Sequence, residues 1–322
     1  MLDKIAKHHS AIFLIFNVLS FFILLLIGIL YYLIQPFKSE SVVFIEPGST
    51  SKIITNLSKE GYQISKIDKY ILIFLGKPQA GWIDIGARPL NRGEFLHKLT
   101  TAKAALVNIT LIPGETTAVF FKQLAAQLNL DENKLWAEYK KQTPYEEGMF
   151  LPNTHGIPKG IDEATLVELL LKYAKLAFKQ ESMHHFGEFN EMKWHKIVIR
   201  ASVIQKEAAS NDEMPIVASV INNRLDKKMK LQMDGTLNYG LYSHSKITPE
   251  RIRNDNSGYN TYKIDGLPKE AVCNVSLEAI RAVIYPAKTD YLYFMRDKST
   301  GKHIFTTNVN DHNKAVDAQR GK

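Results

Sequence analysis

The chain has 322 residues, 45% hydrophobic and 23% charged, a balance that supports a packed core and excludes a disordered or fibrous protein. Lys and Arg (41) against Asp and Glu (33) leave a formal net charge of +8, which suits an anionic partner or a place beside an anionic membrane surface. The single cysteine, Cys273, excludes an intrachain disulfide framework and any Cys-rich metal site.

From Ala11 to Ile34 the sequence AIFLIFNVLSFFILLLIGILYYLI is long and apolar enough to cross a hydrocarbon core as one helix. Lys4 and Lys7 precede it with one acid, Asp3, so the N-terminus is expected on the cytoplasmic side and everything after Pro36 outside. A cleaved signal peptide is the competing reading, but the run exceeds a signal-peptide apolar region and no small-x-small site follows it.

Val42 opens a β-rich segment, VVFIEPG, whose Pro47-Gly48 turn precedes the helical pattern Ile53, Ile54, Leu57. A second helix is expected around Asp68 to Leu75, a strand at GWIDIG, and a short helix from Arg92 carrying Leu96 and Leu99 on one face. From Val107 the string VNITLIPGE repeats the strand, Pro-Gly turn and helix order, with Thr116 or Thr117 as the cap. Tyr145 to Gly160, dense in Gly and Pro, reads as a long loop. Helices then follow from about Asp162 to Glu181 and Met192 to Ala209, and a third capped by Asn211 or Asp212 with Pro215 in its first turn. The last two should form a hairpin. Beyond Leu231 the pattern suggests short polar strands and turns, a helix at Leu277 to Val283, and a strand pair in YLYFMRD and HIFTTN.

On the first helix of the hairpin, Ile197, Val198, Ala201, Ile204 and Ala208 form one stripe, and Glu207 stands about 110° from its centre at 3.6 residues per turn. A carboxyl at the rim of a buried surface is partly desolvated, which raises its pKa and lets it hold a proton near pH 7. A solvated helix-edge Glu paired with a Lys fits the same position. The string ASVIQKEAASNDEMPIVASVINNRLDKKMKLQMDGTLNYG, with GYNTYKIDGLP, IYPAKTDYLYFMRD, HIFTTNVNDHNKAV and EGMFLPNT at Glu147 to Thr154, resembles the endolytic murein transglycosylase MltG (YceG-like) family. The resemblance is strongest from Ala201 to Val316.

The resemblance implies an α+β protein in three parts. They are a cytoplasmic tip and transmembrane anchor over 1–36, a small LysM-like α+β module over 37–106, and a larger mixed α/β catalytic domain with the helical hairpin over 107–322. It implies cleavage of the MurNAc-β-1,4-GlcNAc bond of peptidoglycan with a 1,6-anhydro end, and Glu207 as the single general acid/base. The pattern's earlier acid is Gln205 here. A hydrolase would need a second carboxylate, whereas the MurNAc C6 hydroxyl supplies an internal nucleophile.

Asp234 and Gln232 in the LQ-x-D segment are implied to border the cleft, although Asp234 equally suits a turn. Tyr259, Asn260 and Tyr262 have the mixed character of a saccharide subsite, and buried packing of the tyrosines fits as well. Asn308 and His312 read as further substrate-side residues or as supports for the loops. Two departures from the family pattern affect loops near the cleft: AVCNVS at Ala271 to Ser276 where a Pro-Gly pair is common, and Gly235 where Pro often follows the Asp. No cofactor or metal is expected, since no HExxH spacing or dinucleotide glycine motif occurs. The expected partners are peptidoglycan strands and the bacterial inner membrane, with cell-wall elongation proteins as candidate protein partners and no nucleic acid. A noncatalytic, membrane-tethered peptidoglycan-binding protein and a hydrolytic muramidase are the rival readings.

Overall fold

The computed structural model describes residues 2–320, with the side chains of residues 2–12, Lys4 and Lys7 among them, and of residue 320 outside the described ones. It is a mixed α+β structure in two compact units. One runs through Val107 and adds Pro158–Gly160, and the other holds Asn108–Ile157 and the chain from Ile161 onward.

The first unit begins with helix α1, Leu2–Ile34, whose Phe13–Ile34 stretch of 22 residues has a mean hydropathy of 2.9. At 1.5 Å per residue that stretch is about 33 Å long, enough to cross a hydrocarbon core of about 30 Å. Strands β1 (Pro36–Phe37) and β2 (Val42–Ile45) precede helices α2 (Thr50–Lys59) and α3 (Lys66–Leu75). Strands β3 (Gly81–Asp84) and β4 (Leu90–Asn91) lead into α4 (Arg92–Thr101). β2 pairs antiparallel with β3 from Val42 opposite Asp84 to Ile45 opposite Gly81, and β1 pairs with β4. The alternation in VVFI turns Val43 and Ile45 inward, onto a core with Leu57, Leu72, Phe95 and Leu99. Two capping boxes, Ser65 with Asp68 and Asn91 with Glu94, satisfy the first amides of α3 and α4. Asp68 is fully buried, and Arg92 pairs with it at 2.8 Å.

Strand β5 (Leu106–Leu111) carries the chain into the second unit, followed by α5 (Thr117–Leu128) and α6 (Glu132–Gln142). The Gly- and Pro-rich segment expected as loop contains strand β6 (Asn153–Pro158), which pairs with β5; backbone hydrogen bonding to an available edge overrides the composition there. Helices α7 (Glu163–Phe186), α8 (Glu191–Glu207) and α9 (Met214–Asp226) come next. α7 continues past the expected end at Glu181 until Gly187, whose φ of +72° closes it. α8 stops at Glu207, two residues before the expected end at Ala209, because Ala208 is extended. Asn211 and Asp212 do not cap α9. They lie in a 3-10 turn, Asn211–Glu213, that runs directly into it.

The strands expected between Leu231 and Leu277 are absent from the described residues. Tight turns at Asp234–Leu237 and Gly240–Tyr242 and the short helix α10 (Pro249–Asn254) take their place. Helix α11 (Leu277–Ile284), the antiparallel pair β7 (Tyr293–Arg296) and β8 (His303–Thr306), and α12 (Val309–Arg320) complete the unit.

The α8–α9 hairpin supplies the centre of this unit's core: Val198, Ala201, Ile204, Val217, Val220 and Ile221, closed by Ala271 to Val275 and by α11. The AVCNVS segment is a buried strap along α8. Val272 N–H donates to Ser202 Oγ at 2.8 Å, Ser276 N–H donates to Gln205 Oε1 at 3.0 Å, and Ser276 caps α11. Gln205 therefore anchors the strap.

Candidate active site

The last helical residue of α8 turns its carboxyl into a cleft of about 240 Å³ lined by Arg224, Gln232, Asp234, Tyr262, Arg296 and His303, among others. Glu207 is half-buried, so its carboxyl is desolvated by the walls yet reachable from the cleft. Gly235 N–H donates to Glu207 Oε1 at 2.7 Å. Burial pushes the carboxyl up to about 7, and the charge of Asp234 adds to the rise, while the Gly235 bond and the Arg224 guanidinium oppose it. Burial outweighs the donors, leaving an acid that holds and releases a proton near neutrality.

Gly235 has no room for a side chain. A Cβ there would lie 2.7 Å from Lys206 Cβ, 2.8 Å from Glu207 Oε1 and 3.0 Å from the Lys206 carbonyl oxygen. The Asp-Gly departure therefore gives this chain an amide donor in direct contact with the acid.

Asp234 is exposed and accepts a 2.7 Å hydrogen bond from Tyr262 Oη. Burial, then the bond to Asp234, holds the Tyr262 phenol above its ordinary value, so it remains a donor. Gln232 adopts φ +51°, a left-handed conformation that a non-glycine residue enters at a cost of about 1–2 kcal/mol, and its side chain is exposed in the cleft. The Gln232–Leu237 turn is stitched to the Tyr259–Tyr262 loop by Thr261, which accepts from Met233 N–H at 3.0 Å through Oγ1 and from Gln232 N–H at 3.1 Å through its carbonyl.

The other residues singled out from the sequence stand elsewhere. Asn260 is fully buried, with Nδ2 donating to the Ile252 and Asp255 carbonyls at 2.8 Å each and Oδ1 accepting from Tyr262 N–H. It braces the loop that carries Tyr262 and does not line the cleft. Tyr259 is buried against Tyr239, ring centroids 4.4 Å apart, at the edge of a different cavity. Asn308 is exposed and accepts from Asp311 N–H at 3.0 Å at the start of α12. His312, on α12, stacks on Tyr293, whose ring also faces the Arg224 guanidinium at 5.1 Å. Burial, then the Arg224 charge, lowers the His312 pKa, keeping it neutral behind the cleft wall.

Several contributors escaped the sequence reading. Arg224 is buried on the apolar stripe of α9, where its guanidinium donates to the Leu292, Lys230 and Leu231 carbonyls, which hold the cation in place. Its position among Ile216, Val217, Val220 and Ile221 is the available signal, since a buried Arg must be engaged. His303 Nδ1 lies 2.7 Å from Glu213 Oε2, and its amide donates to Glu213 Oε1, which ties β8 to the start of α9. Burial alone would raise Glu213, but these bonds prevail and hold it below its ordinary value. Among the described residues no group of three or more His, Cys, Asp or Glu could hold a metal ion.

The sequence model of a family described as YceG-like matches residues 43–318. The chain belongs to the YceG-like family. Among proteins similar to this YceG-like chain, one of Bacillus subtilis (strain 168) named endolytic murein transglycosylase is 29% identical over 322 aligned residues, covering 88% of this chain and 87% of that protein. A protein of the same name from Streptococcus pneumoniae serotype 2 (strain D39) is 29% identical over 285 residues, 83% of this chain; the chain spans only 48% of that relative's length. The crystal structure of a yceG-like protein from Listeria monocytogenes superposes with a TM-score of 0.55 at 25% identity, covering 85% of this chain and 98% of that one.

Proposed function

We propose that this YceG-like protein is a membrane-anchored endolytic peptidoglycan transglycosylase, which cleaves the MurNAc-β-1,4-GlcNAc bond of nascent strands and leaves a 1,6-anhydroMurNAc end. The observation that carries this reading is the Glu207 carboxyl, held near neutrality in a cleft with its proton tuned by Gly235, Asp234 and Arg224. The names of the Bacillus and Streptococcus relatives point the same way.

Protonated Glu207 gives its proton to the leaving GlcNAc O4 as the C1–O4 bond breaks. Its carboxylate then takes the proton of the MurNAc C6 hydroxyl as O6 closes on C1. A pKa of about 7 keeps both forms populated at neutral pH. The intramolecular hydroxyl is already adjacent, so neither a water nor a second carboxylate is consumed in the step. Asp234, engaged by Tyr262, serves as a charge that holds Glu207 protonated and, with Gln232, as a hydrogen-bonding edge for the sugar.

Phe13–Ile34 is the inner-membrane anchor, with the N-terminus cytoplasmic and the body outside. Residues 37–106 form the LysM-like module; the order β2, α2, α3, β3 with its antiparallel strand pair supports that reading. Residues 107–322 form the catalytic domain. Incubating the full chain in detergent with un-crosslinked peptidoglycan, beside Glu207→Gln, tests the proposal by mass spectrometry of the ends. Anhydro ends from the parent alone support it, whereas reducing ends favour a muramidase and no new ends a binding protein.

A further inference from the structure

The Glu207 cleft is small for the task proposed for it. Its volume of about 240 Å³ falls below the roughly 300–1,000 Å³ typical of ligand pockets, too little to grip a polymer by itself. A second cavity of about 1000 Å³ lies in the same unit, at the top of that range.

Two loops serve both places. The first puts Gln232 and Asp234 in the cleft and Tyr239 and Gly240 in the larger cavity. The second puts Tyr262 in the cleft and Ser257 to Tyr259 in the cavity. Thr261 and Asn260 fix the loops to each other and to α10, so the larger cavity sits a few residues along a braced wall from the acid.

Its lining combines aromatic faces with scattered polar groups. Trp136 on α6, Tyr145, Tyr239 and Tyr259 supply the rings; Tyr145 stacks on His195 and Tyr239 on Tyr259, which takes one face of each of these three tyrosines, and Lys269 lies 3.4 Å from Glu146 and 5.6 Å from the Tyr259 ring centre. Lys140 and Lys269 stand against Glu146 and Glu147 in the lining, so no strong net charge is left there, which disfavours an acidic peptide. Flat rings beside hydrogen-bonding groups match the two-faced chemistry of an N-acetylated sugar, whose C–H face and acetamido methyl are apolar and whose rim is polar.

We propose that this aromatic cavity is a saccharide-binding site that holds the glycan strand beyond the bond presented to Glu207. The inference rests on the reading of the chain as a glycan-cleaving enzyme. It explains how a cleft too small to retain a strand acts inside one: binding away from the reacting bond anchors the polymer, and the adjoining wall delivers its next residues to the acid.

The test uses the full-length Glu207→Gln protein in detergent, labelled with 5-fluorotryptophan. Its three tryptophans give three fluorine signals, and Trp136→Phe, which keeps a ring against Phe121 and Tyr139, assigns one of them. Titration with a peptide-free GlcNAc–MurNAc oligosaccharide should shift the Trp136 signal, and Lys269→Ala should weaken that binding about three- to tenfold. A Trp136 signal unmoved at saturating oligosaccharide, or moved only by free stem peptide, overturns the inference. If the parent releases anhydro ends while Trp136 stays unmoved, this site is refuted and the role of Glu207 stands. If the oligosaccharide shifts Trp136 while the parent releases no anhydro ends, the site stands and the role of Glu207 falls.

Discussion

Replacing Gly235 with alanine probes how the cleft tunes its acid. The added Cβ would sit 2.7 Å from Lys206 Cβ and 3.0 Å from the Lys206 carbonyl oxygen, atoms of the last turn of α8 that cannot swing aside like the tip of a long side chain. The Asp234–Leu237 turn must retreat instead, breaking the 2.7 Å bond from Gly235 N–H to Glu207. A hydrogen bond to a charged group contributes about 1.5–3 kcal/mol, and at 1.36 kcal/mol per pH unit its loss corresponds to about 1–2 units. Glu207 is half-exposed and water replaces part of the lost bond, so the lower figure, about one unit, is expected.

The lost bond favoured the carboxylate, so the pKa rises from about 7. Donation to the leaving oxygen needs the protonated form, and the alkaline limb of the rate profile therefore moves to higher pH by about one unit. The assay is release of anhydro ends by the full chain across pH, with thermal melting as the check on folding. A folded variant whose alkaline limb stays in place, or moves to lower pH, would show that the Gly235 amide does not hold the Glu207 pKa down.

The neighbouring charge works with the opposite sign: Asp234→Asn removes a negative group that raises Glu207, so its alkaline limb should move to lower pH in the same assay. Gly148→Ala tests packing behind the site, because its Cβ would meet Val198 Cγ1 at 2.7 Å and Ala271 Cβ at 2.8 Å at a φ of +81°; overpacking should cost about 1–3 kcal/mol by denaturant titration, with further cost from the left-handed backbone. Glu147, buried and bonded by Thr117 and Gly148, is pushed by burial to about 7, as Glu207 is. Both folded values exceed the ordinary 4.5, so the stability these groups contribute is fully present below pH 4.5 and is lost as pH rises to 7. Glu147→Gln should therefore lose less melting temperature than the parent as pH rises across that window.

The hairpin that places Glu207 was legible because its apolar residues repeat at helical spacing, and β2, β3, β7 and β8 because theirs alternate or cluster between turns. Helix α6 was not legible: in ENKLWAEYKKQ only Leu135 and Tyr139 are buried, too few to mark a face. α12 is similarly polar. β6 hides in a Gly- and Pro-rich string because its pairing with β5 is a tertiary event that local propensity does not report. Within the candidate site, the YNTY string does not disclose that Asn260 points inward to three backbone groups while Tyr262 faces the cleft. Loop residues lack the periodicity that separates inside from outside on a helix or strand. The donor on Glu207 is a backbone amide, available to any non-proline residue, so only its geometry reveals it.

Whether a single carboxyl at Glu207 cleaves the strand without consuming water is read by running the reaction in heavy-oxygen water and weighing the new ends. A water-free step by Glu207 gives anhydroMurNAc ends free of heavy oxygen from the parent and none from a folded Glu207→Gln protein. Reducing ends carrying the heavy isotope, or anhydro ends persisting in Glu207→Gln at the parental rate, would contradict it.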